Sequence, residues 1–320
     1  MKKIGVLTSG GDSPGMNAAL RSVVHEACNN SIDVIGFKRG FAGLIDNDYI
    51  DLNIQSVGGI IQRGGTILLT ARSEHFRTTE GQKAALEVLE KHEIEHMVVI
   101  GGDGSFHGAL ALSDLGINVI GIPATIDNDI YGTEMSIGVD TALNTIMEVV
   151  DKIKDTASSH QRTFIVEVMG RNSGYLAMVS SVVTGAEACI VPEIPPDYND
   201  IVNILKEGYL RGKTNSLVIV AEGASTAFQA SRKLGNLGGI ECRITTLGHL
   251  QRGGSPTCFD RFIATRLGMT SVEMLLNGET GKMVGLIGRK VELTDFNTVF
   301  AKKYEYQEKL FELAKVLGNI

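Results

Sequence analysis

Three short segments hold the residue types that phosphoryl chemistry needs, at spacings that allow it. Gly101-Gly102-Asp103-Gly104-Ser105 sets one carboxylate in a loop whose backbone can cover a polyphosphate, so that Asp103 can face a magnesium ion. The loop lacks the Gly-Lys-Ser/Thr ending of a Walker motif, and its spacing to Gly108 misses the dinucleotide fingerprint by one residue. Thr125-Ile126-Asp127-Asn128-Asp129 places two carboxylates at alternate positions, which an extended segment would turn to one side. One of them could take a proton from an attacking hydroxyl and the other serve magnesium or water. Thr8-Ser9-Gly10-Gly11-Asp12-Ser13-Pro14-Gly15 offers backbone amides to phosphate oxygens, because glycine lets them approach and a helix terminus adds favourable partial charge. Each segment alone also fits a plain turn.

Charge that spreads over a transferring phosphoryl group calls for arginine. Arg72, Arg162, Arg171, Arg243 and Arg252 all stand beside glycine or polar turn segments, and His249 is a candidate donor to a sugar or phosphate.

These groups need a scaffold, and the apolar pattern supplies one. Runs at Ile4–Thr8, Met97–Ile100, Val119–Ile122, Phe164–Val168 and Leu217–Ala221 read as strands, most followed by a helix-like stretch, which predicts parallel βαβ units. Met16 to Cys28, Glu80 to His92, Asp140 to Ile153 and Glu305 to Leu317 read as helices. The candidate segments follow the carboxyl ends of the strands, where open α/β sheets bind ligands.

Composition narrows the function classes. The 320 residues suffice for two α/β domains, and 43% hydrophobic residues supply their cores. A net charge of −7 gives no overall positive field for nucleic acid or acidic lipid, and no apolar run approaches a membrane span. Four scattered cysteines, Cys28, Cys189, Cys242 and Cys258, predict reduced thiols in a cytoplasmic protein. The short apolar run after Met1-Lys2-Lys3 is broken too soon for a signal peptide.

Taken in order, several motifs resemble the bacterial ATP-dependent 6-phosphofructokinases through essentially the whole chain. They are Leu7 to Asn17, Gly101 to Ser105, Thr125 to Asp129, Ser159-His160-Gln161-Arg162, Met169-Gly170-Arg171, and Leu247-Gly248-His249-Leu250-Gln251-Arg252-Gly253-Gly254-Ser255-Pro256. The resemblance implies two Rossmann-like three-layer α/β domains with largely parallel sheets and the active site in the cleft between them. The larger, ATP-binding domain would use 1–138 and 251–301, and the smaller, fructose 6-phosphate-binding domain 139–250 and 302–320.

The same resemblance implies an assignment of residues. ATP would meet Gly11, Phe41, Arg72, Ser73, Phe76, Gly102, Asp103, Gly104 and Ser105, with Asp103 as the magnesium ligand and the two aromatic rings near the adenine. Fructose 6-phosphate would be held by Thr125, Ile126, Asp127, Met169, Gly170, Arg171, Glu222, His249, Leu250, Gln251 and Arg252. Arg162 and Arg243 would reach its phosphate from a neighbouring subunit of a homotetramer. Asp127 would be the base, with Arg171, Arg72 and Asp129 completing the catalytic set.

An effector site for ADP or phosphoenolpyruvate would use Arg21, Ser22, Val23, Val24, His25, Lys154, Gly185, Ala186, Glu187, Arg211, Lys213, Thr214 and Asn215. Four departures stand against the family pattern. Ala124 replaces a common glycine, Arg72-Ser73-Glu74-His75-Phe76 lacks a common proline, His25 stands for a common arginine, and Ile54 replaces a basic residue. Pyrophosphate-using relatives typically carry aspartate where this chain has Gly104 and lysine where it has Ala124, so the expected donor is ATP. Retention of Asp103, Asp127 and Arg171 argues against a noncatalytic nucleotide sensor, and the failed glycine spacing argues against a dinucleotide oxidoreductase.

Overall fold

The computed structural model describes residues 1–157, 162–302 and 308–318. In chain order these form β1 (Lys3–Ser9), α1 (Met16–Asn29), β2 (Asp33–Phe37), α2 (Phe41–Ile45), β3 (Tyr49–Leu52), α3 (Thr79–Lys91), β4 (His96–Gly101), α4 (Asp103–Asp114), β5 (Asn118–Pro123) and α5 (Val139–Ala157). There follow β6 (Arg162–Val168), α6 (Tyr175–Thr184), β7 (Ala188–Ile190), α7 (Tyr198–Leu210), β8 (Asn215–Ala221), α8 (Ala227–Gly238), β9 (Cys242–Thr246), α9 (Cys258–Leu276), β10 (Lys282–Ile287), β11 (Lys290–Asp295), α10 (Phe296–Ala301) and α11 (Glu308–Gly318). Every strand and helix expected from the apolar pattern is present, although Glu305 to Gln307 of the closing helix lie outside the described residues.

Two compact units divide the chain. The first comprises Met1–Ile126, Ile130–Thr141 and Arg252–Tyr304, and the second Asp127–Asp129, Ala142–Gln251 and Glu305–Ile320. The first is built on a seven-stranded sheet in the order β11-β10-β5-β4-β1-β2-β3, parallel except at the two edges, where β2–β3 and β10–β11 are antiparallel. Alternate residues of one strand feed opposite cores: Val98 and Ile100 of β4 join the α1 and α9 side, Met97 and Val99 the side that holds Phe106 and Phe296. A parallel sheet covered on both faces has to read as continuous apolar runs, which is why β1, β4 and β5 are legible in the sequence.

The second unit carries a four-stranded, all-parallel sheet, β7-β8-β6-β9. Ile165, Val218 and Val220 pack against Ile201, Leu205, Ala230 and Leu234 of α7 and α8 on one face. Helix ends are fixed locally. Asp197 caps α7 by accepting the amides of Asn199 and Asp200, and Thr226 with Gln229 forms a capping box on α8. Among the described residues no helix is long and apolar enough to cross a membrane.

Candidate active site

In the first unit, β4 ends at Gly101 and α4 begins at Asp103 with no side-chain cap on its first turn. The Ser105 and Phe106 amides donate back to Gly102 O at 2.9 and 3.2 Å, and the amides before them precede the first intrahelical acceptor, so the helix start offers donors and the positive end of its dipole. The Asp103 carboxylate is 53% exposed, with His107 Nε2 4.0 Å away. Gly104 is exposed, and a Cβ there would meet nothing within 4 Å. Ser105 is buried and its Oγ has no hydrogen-bond partner among the described residues. That hydroxyl lies close to the first glycine loop, since a Cβ on Gly10 would come within 3.2 Å of it.

The first glycine loop is held from the side by Arg252, whose Nη1 donates to the Asp12 carbonyl at 3.3 Å. A Cβ on Gly11 would come within 2.5 Å of that nitrogen, so no other residue fits beside the guanidinium without moving it. Arg252, expected beside the sugar phosphate, is thus anchored on the loop expected to meet ATP.

Phe41 and Phe76 are expected near the adenine. Their rings stack on each other with centroids 4.3 Å apart, and both belong to the core of the first unit, 5% and 4% exposed. Burial of the pair anchors the turn at His75–Arg77. Ser73 has the same structural use, its Oγ accepting the Phe76 amide at 3.2 Å. Arg72 is exposed in irregular chain just before this turn.

The Thr125–Asp129 segment is not extended. It bends at Ile126 and Asp127, and Asn128 adopts φ +48°. The alternation of the two carboxylates therefore does not give them one surroundings: Asp127 is 3% exposed while Asp129 is half-buried. Thr125 and Ile126 are buried as well, and Ala124 is tied to the α4 loop through its amide to Gly101 O at 2.9 Å.

In the second unit, parallel pairing of β6 and β8 brings their carboxyl ends together. Arg171, at φ +51°, donates its amide to Glu222 Oε1 at 3.0 Å. A Cβ on Gly223 would collide with the Arg171 carbonyl, so glycine is required there for the two loops to touch. Such a non-glycine residue in the left-handed region is costly and persists because its surroundings hold it. Gln251 is fully buried; its Oε1 accepts the Met169 amide at 3.1 Å and its Nε2 donates to Gly248 O at 3.0 Å. Gln251 therefore joins Met169–Arg171 to the 3-10 turn that exposes His249 and Leu250. Gly170 is buried between these anchors. Arg162 opens β6 and Arg243 lies on the neighbouring β9, 3.5 Å from Glu241. Ser159, His160 and Gln161 lie outside the described residues.

Comparison with known proteins decides the family, because the phosphofructokinase family profile matches residues 3–275. The chain belongs to the phosphofructokinase family. An ATP-dependent 6-phosphofructokinase of Thermotoga neapolitana is 54% identical over 319 residues, 99% of this chain and 100% of that one. One from Halalkalibacterium halodurans is 50% identical over 318 residues, again 99% and 100%. Among solved structures, Pichia pastoris phosphofructokinase in the T-state superposes with a TM-score of 0.90 at 34% identity; the match covers 99% of this chain and 37% of that chain.

The residues expected to form an effector site fall in both units. In the first unit Val23 and Val24 are fully buried and the Ser22 hydroxyl donates to Thr265 O at 2.6 Å, so these three side chains pack α1 on α9. Arg21 and His25 are half-buried on the same helix. Burial, then the charge of Arg21, holds the His25 imidazole below its ordinary pKa. Ile54 is exposed and carries no charge. In the second unit Glu187 is buried against Lys213 and accepts the Leu217 amide, and Lys154 Nζ donates to Thr184 O beside Gly185 and buried Ala186. Arg211 is paired with Glu207 at 2.9 Å, and Asn215 Nδ2 donates to Thr214 Oγ1 at 3.4 Å.

One buried group in the first unit escaped the sequence reading. Asp260, fully buried, accepts from Gly138 N and Thr141 N, each at 2.8 Å, and from Thr141 Oγ1 at 2.5 Å. It thereby caps α5, and Gly138 in turn abuts Ser13 of the first glycine loop. The available signal was Thr257-Cys258-Phe259-Asp260, which reads as an ordinary capping pattern for α9. The Thr257 hydroxyl does accept the Asp260 amide at 3.2 Å, but the carboxylate serves the other helix.

Proposed function

We propose that the chain is an ATP-dependent 6-phosphofructokinase that transfers the γ-phosphoryl group of MgATP to the 1-hydroxyl of fructose 6-phosphate, giving fructose 1,6-bisphosphate and ADP in glycolysis. The observation that carries this reading is the 54% identity to a relative of that name over the full length of both chains.

Asp127 accepts the proton of the sugar hydroxyl as its oxygen attacks phosphorus. Arg72 and Arg171 offset the charge on the transferring group, and the uncapped first turn of α4 with the Gly10–Gly11 loop holds the polyphosphate. Thr125, Ile126, Met169, Gly170, Glu222 and His249 to Arg252 hold the sugar phosphate, Arg162 and Arg243 reach it from another subunit, and Asp129 orients water or magnesium. Asp103 fits magnesium: it is a single exposed carboxylate at an open helix terminus, and the described residues hold no cluster of three or more acidic, histidine or cysteine ligands. Such a site suits an ion bound by one carboxylate and substrate phosphates, where it neutralises phosphate charge.

The donor reading rests on Gly104 and Ala124. Open space at Gly104 leaves room for a nucleotide, and Ala124, 1% exposed, sits where a lysine would have to bury its ammonium. Purified protein with magnesium and fructose 6-phosphate is expected to form fructose 1,6-bisphosphate with ATP and none with pyrophosphate; product with pyrophosphate alone would overturn the donor. Gly104→Asp should raise KM for ATP about 10- to 100-fold through repulsion of the phosphates, with KM for fructose 6-phosphate changed little. The helix itself tolerates an acidic residue in its first turn. An unchanged KM for ATP would remove Gly104 from the site.

A homotetramer is supported by apolar side chains left exposed along α9, Phe259, Phe262 and Met269 at 40%, 58% and 45%. Sedimentation is expected at four times the 34.3 kDa of one chain, and sedimentation as a single chain would overturn it. ADP or phosphoenolpyruvate as effector would have to draw Lys213 away from Glu187, beside a His25 whose pKa is lowered by burial and Arg21. Free thiols at all four cysteines accord with a cytoplasmic protein.

A further inference from the structure

In the first unit β1 carries a buried hydroxyl to which the reaction gives no role. Thr8 is fully buried near the end of that strand, where its backbone pairs with Ile100 of β4 in the interior of the seven-stranded sheet, so its side chain stands on a rigid base. Its Oγ1 donates to the Leu69 carbonyl at 2.9 Å and therefore accepts from Thr66 Oγ1, 3.0 Å away. Thr66 Oγ1 in turn accepts the Leu68 amide at 3.2 Å. These bonds join the sheet to a loop 58 to 61 residues further along the chain.

Leu69 is the point at which that loop is most strained. It adopts φ +60° with its side chain 54% exposed, so a backbone conformation costly for leucine persists without help from side-chain burial. Backbone anchors hold it instead. Thr8 takes the Leu69 carbonyl, the Arg39 amide donates to Leu68 O at 2.7 Å, and Asn17 Oδ1 accepts the Ile67 amide at 2.8 Å. Thr70 and Ala71 follow without secondary structure, then exposed Arg72, and the chain is fixed again where Ser73 accepts the Phe76 amide. An exposed side chain in irregular chain takes its position from the anchors on either side, and Leu69 to Arg72 is at most about 11 Å of chain.

We propose that Thr8 is a positioning residue for phosphoryl transfer: by holding the Leu69 carbonyl it sets where the Arg72 guanidinium can reach. The proposal rests on the assignment of Arg72 to the transferring group. Thr8 works through the chain and contacts no reacting atom. Charge on that group is offset only by donors already in place when it develops, so a loosened Leu69 should cost turnover more than binding.

Thr8→Val keeps the shape of the side chain and removes the hydroxyl; it is expected to lower kcat about tenfold while KM for either substrate changes by less than about threefold. Thr8→Ser keeps the hydroxyl and should stay within about twofold of the unaltered kcat. A role confined to packing predicts the reverse order, since serine gives up a buried methyl group that valine retains. In an Arg72→Ala background, itself slowed about 10²- to 10³-fold, Thr8→Val should add less than about twofold. An unchanged kcat in Thr8→Val, or a loss that multiplies in full with that of Arg72→Ala, would overturn the proposal and leave the Arg72 assignment standing. A normal kcat in Arg72→Ala would overturn that assignment and the proposal with it. Should Thr8→Val fold poorly, Thr66→Ala removes the hydroxyl that donates to Thr8 and gives a second reading. A kcat loss that disappears in the Arg72→Ala background supports the positioning role, and an unchanged kcat or a loss that persists there overturns it.

Discussion

Asp127→Ser is expected to lower kcat by about 10²- to 10⁴-fold while KM for either substrate changes by less than about threefold. Asp127 is 3% exposed on the bend that follows β5, so its carboxylate is held by the fold and does not sample solvent as a surface residue would. Serine keeps a polar atom at the position but cannot take a proton at neutral pH. The barrier should therefore rise by roughly 3 to 5 kcal/mol at the chemical step alone. Asp129, half-buried two residues on, should give a smaller loss when changed in the same way, because it is proposed to orient water or magnesium and not to accept the proton. Single-turnover measurement of fructose 1,6-bisphosphate separates chemistry from release, and near-normal turnover in Asp127→Ser would remove the base assignment.

Asp260→Ala is expected to lower Tm by about 5 to 10 °C. Loss of the carboxylate strands three donors, Gly138 N, Thr141 N and Thr141 Oγ1, in a site with no solvent access, which costs on the order of 3 to 5 kcal/mol. The pH dependence carries a separate signature. Burial, opposed by the three hydrogen bonds and reinforced slightly by Asp140, pushes the Asp260 pKa from 3.8 up to about 6. Between those values the folded chain binds a proton that the unfolded chain has released, so stability falls as pH rises through that window. The two-unit shift amounts to about 3 kcal/mol, fully present below the lower value and lost above about 6. Asp260→Asn cannot ionise and should flatten this part of the stability profile. Thermal unfolding of both proteins from pH 4 to 7, at one protein concentration, reads the difference; parallel profiles would show that Asp260 does not titrate there.

The alanine variant also bears on the first glycine loop. Gly138, held by Asp260, abuts Ser13 and Pro14, and a Cβ on Gly15 would come within 2.6 Å of Ile137. The first glycine loop is thus braced from below by the turn that Asp260 caps, which explains why a residue far along the chain supports a loop near its start.

How much of this was legible before the fold was known differs by element. Strands β1, β4, β5, β6 and β8 and the loops that leave them could be read directly, because a strand buried on both faces must be an uninterrupted apolar run and its exit must be polar or glycine. The positions of Asp103, Asp127 and Arg171 were legible for the same reason: each stands in such an exit. The antiparallel edges β3 and β11 did not stand out, since edge strands such as Tyr49–Leu52 and Lys290–Asp295 are short or polar and bury few side chains.

Sequence by itself determined the family, the order of strands and loops, and the presence of one carboxylate or arginine at each exit that needs one. Tertiary structure alone decided what those residues touch. Phe41 and Phe76, suited by type to stack on a base, stack on each other because the core of the first unit closes over them. Val23 and Val24 lie within an expected effector site by position and within the α1–α9 core by packing. Arg252 rests on Asp12, 240 residues away, and Asp260 caps a helix that begins more than a hundred residues before it. The physical reason is common to all four: local pattern fixes which face of an element is apolar, whereas the partner of a side chain is chosen by which distant element is brought against that face.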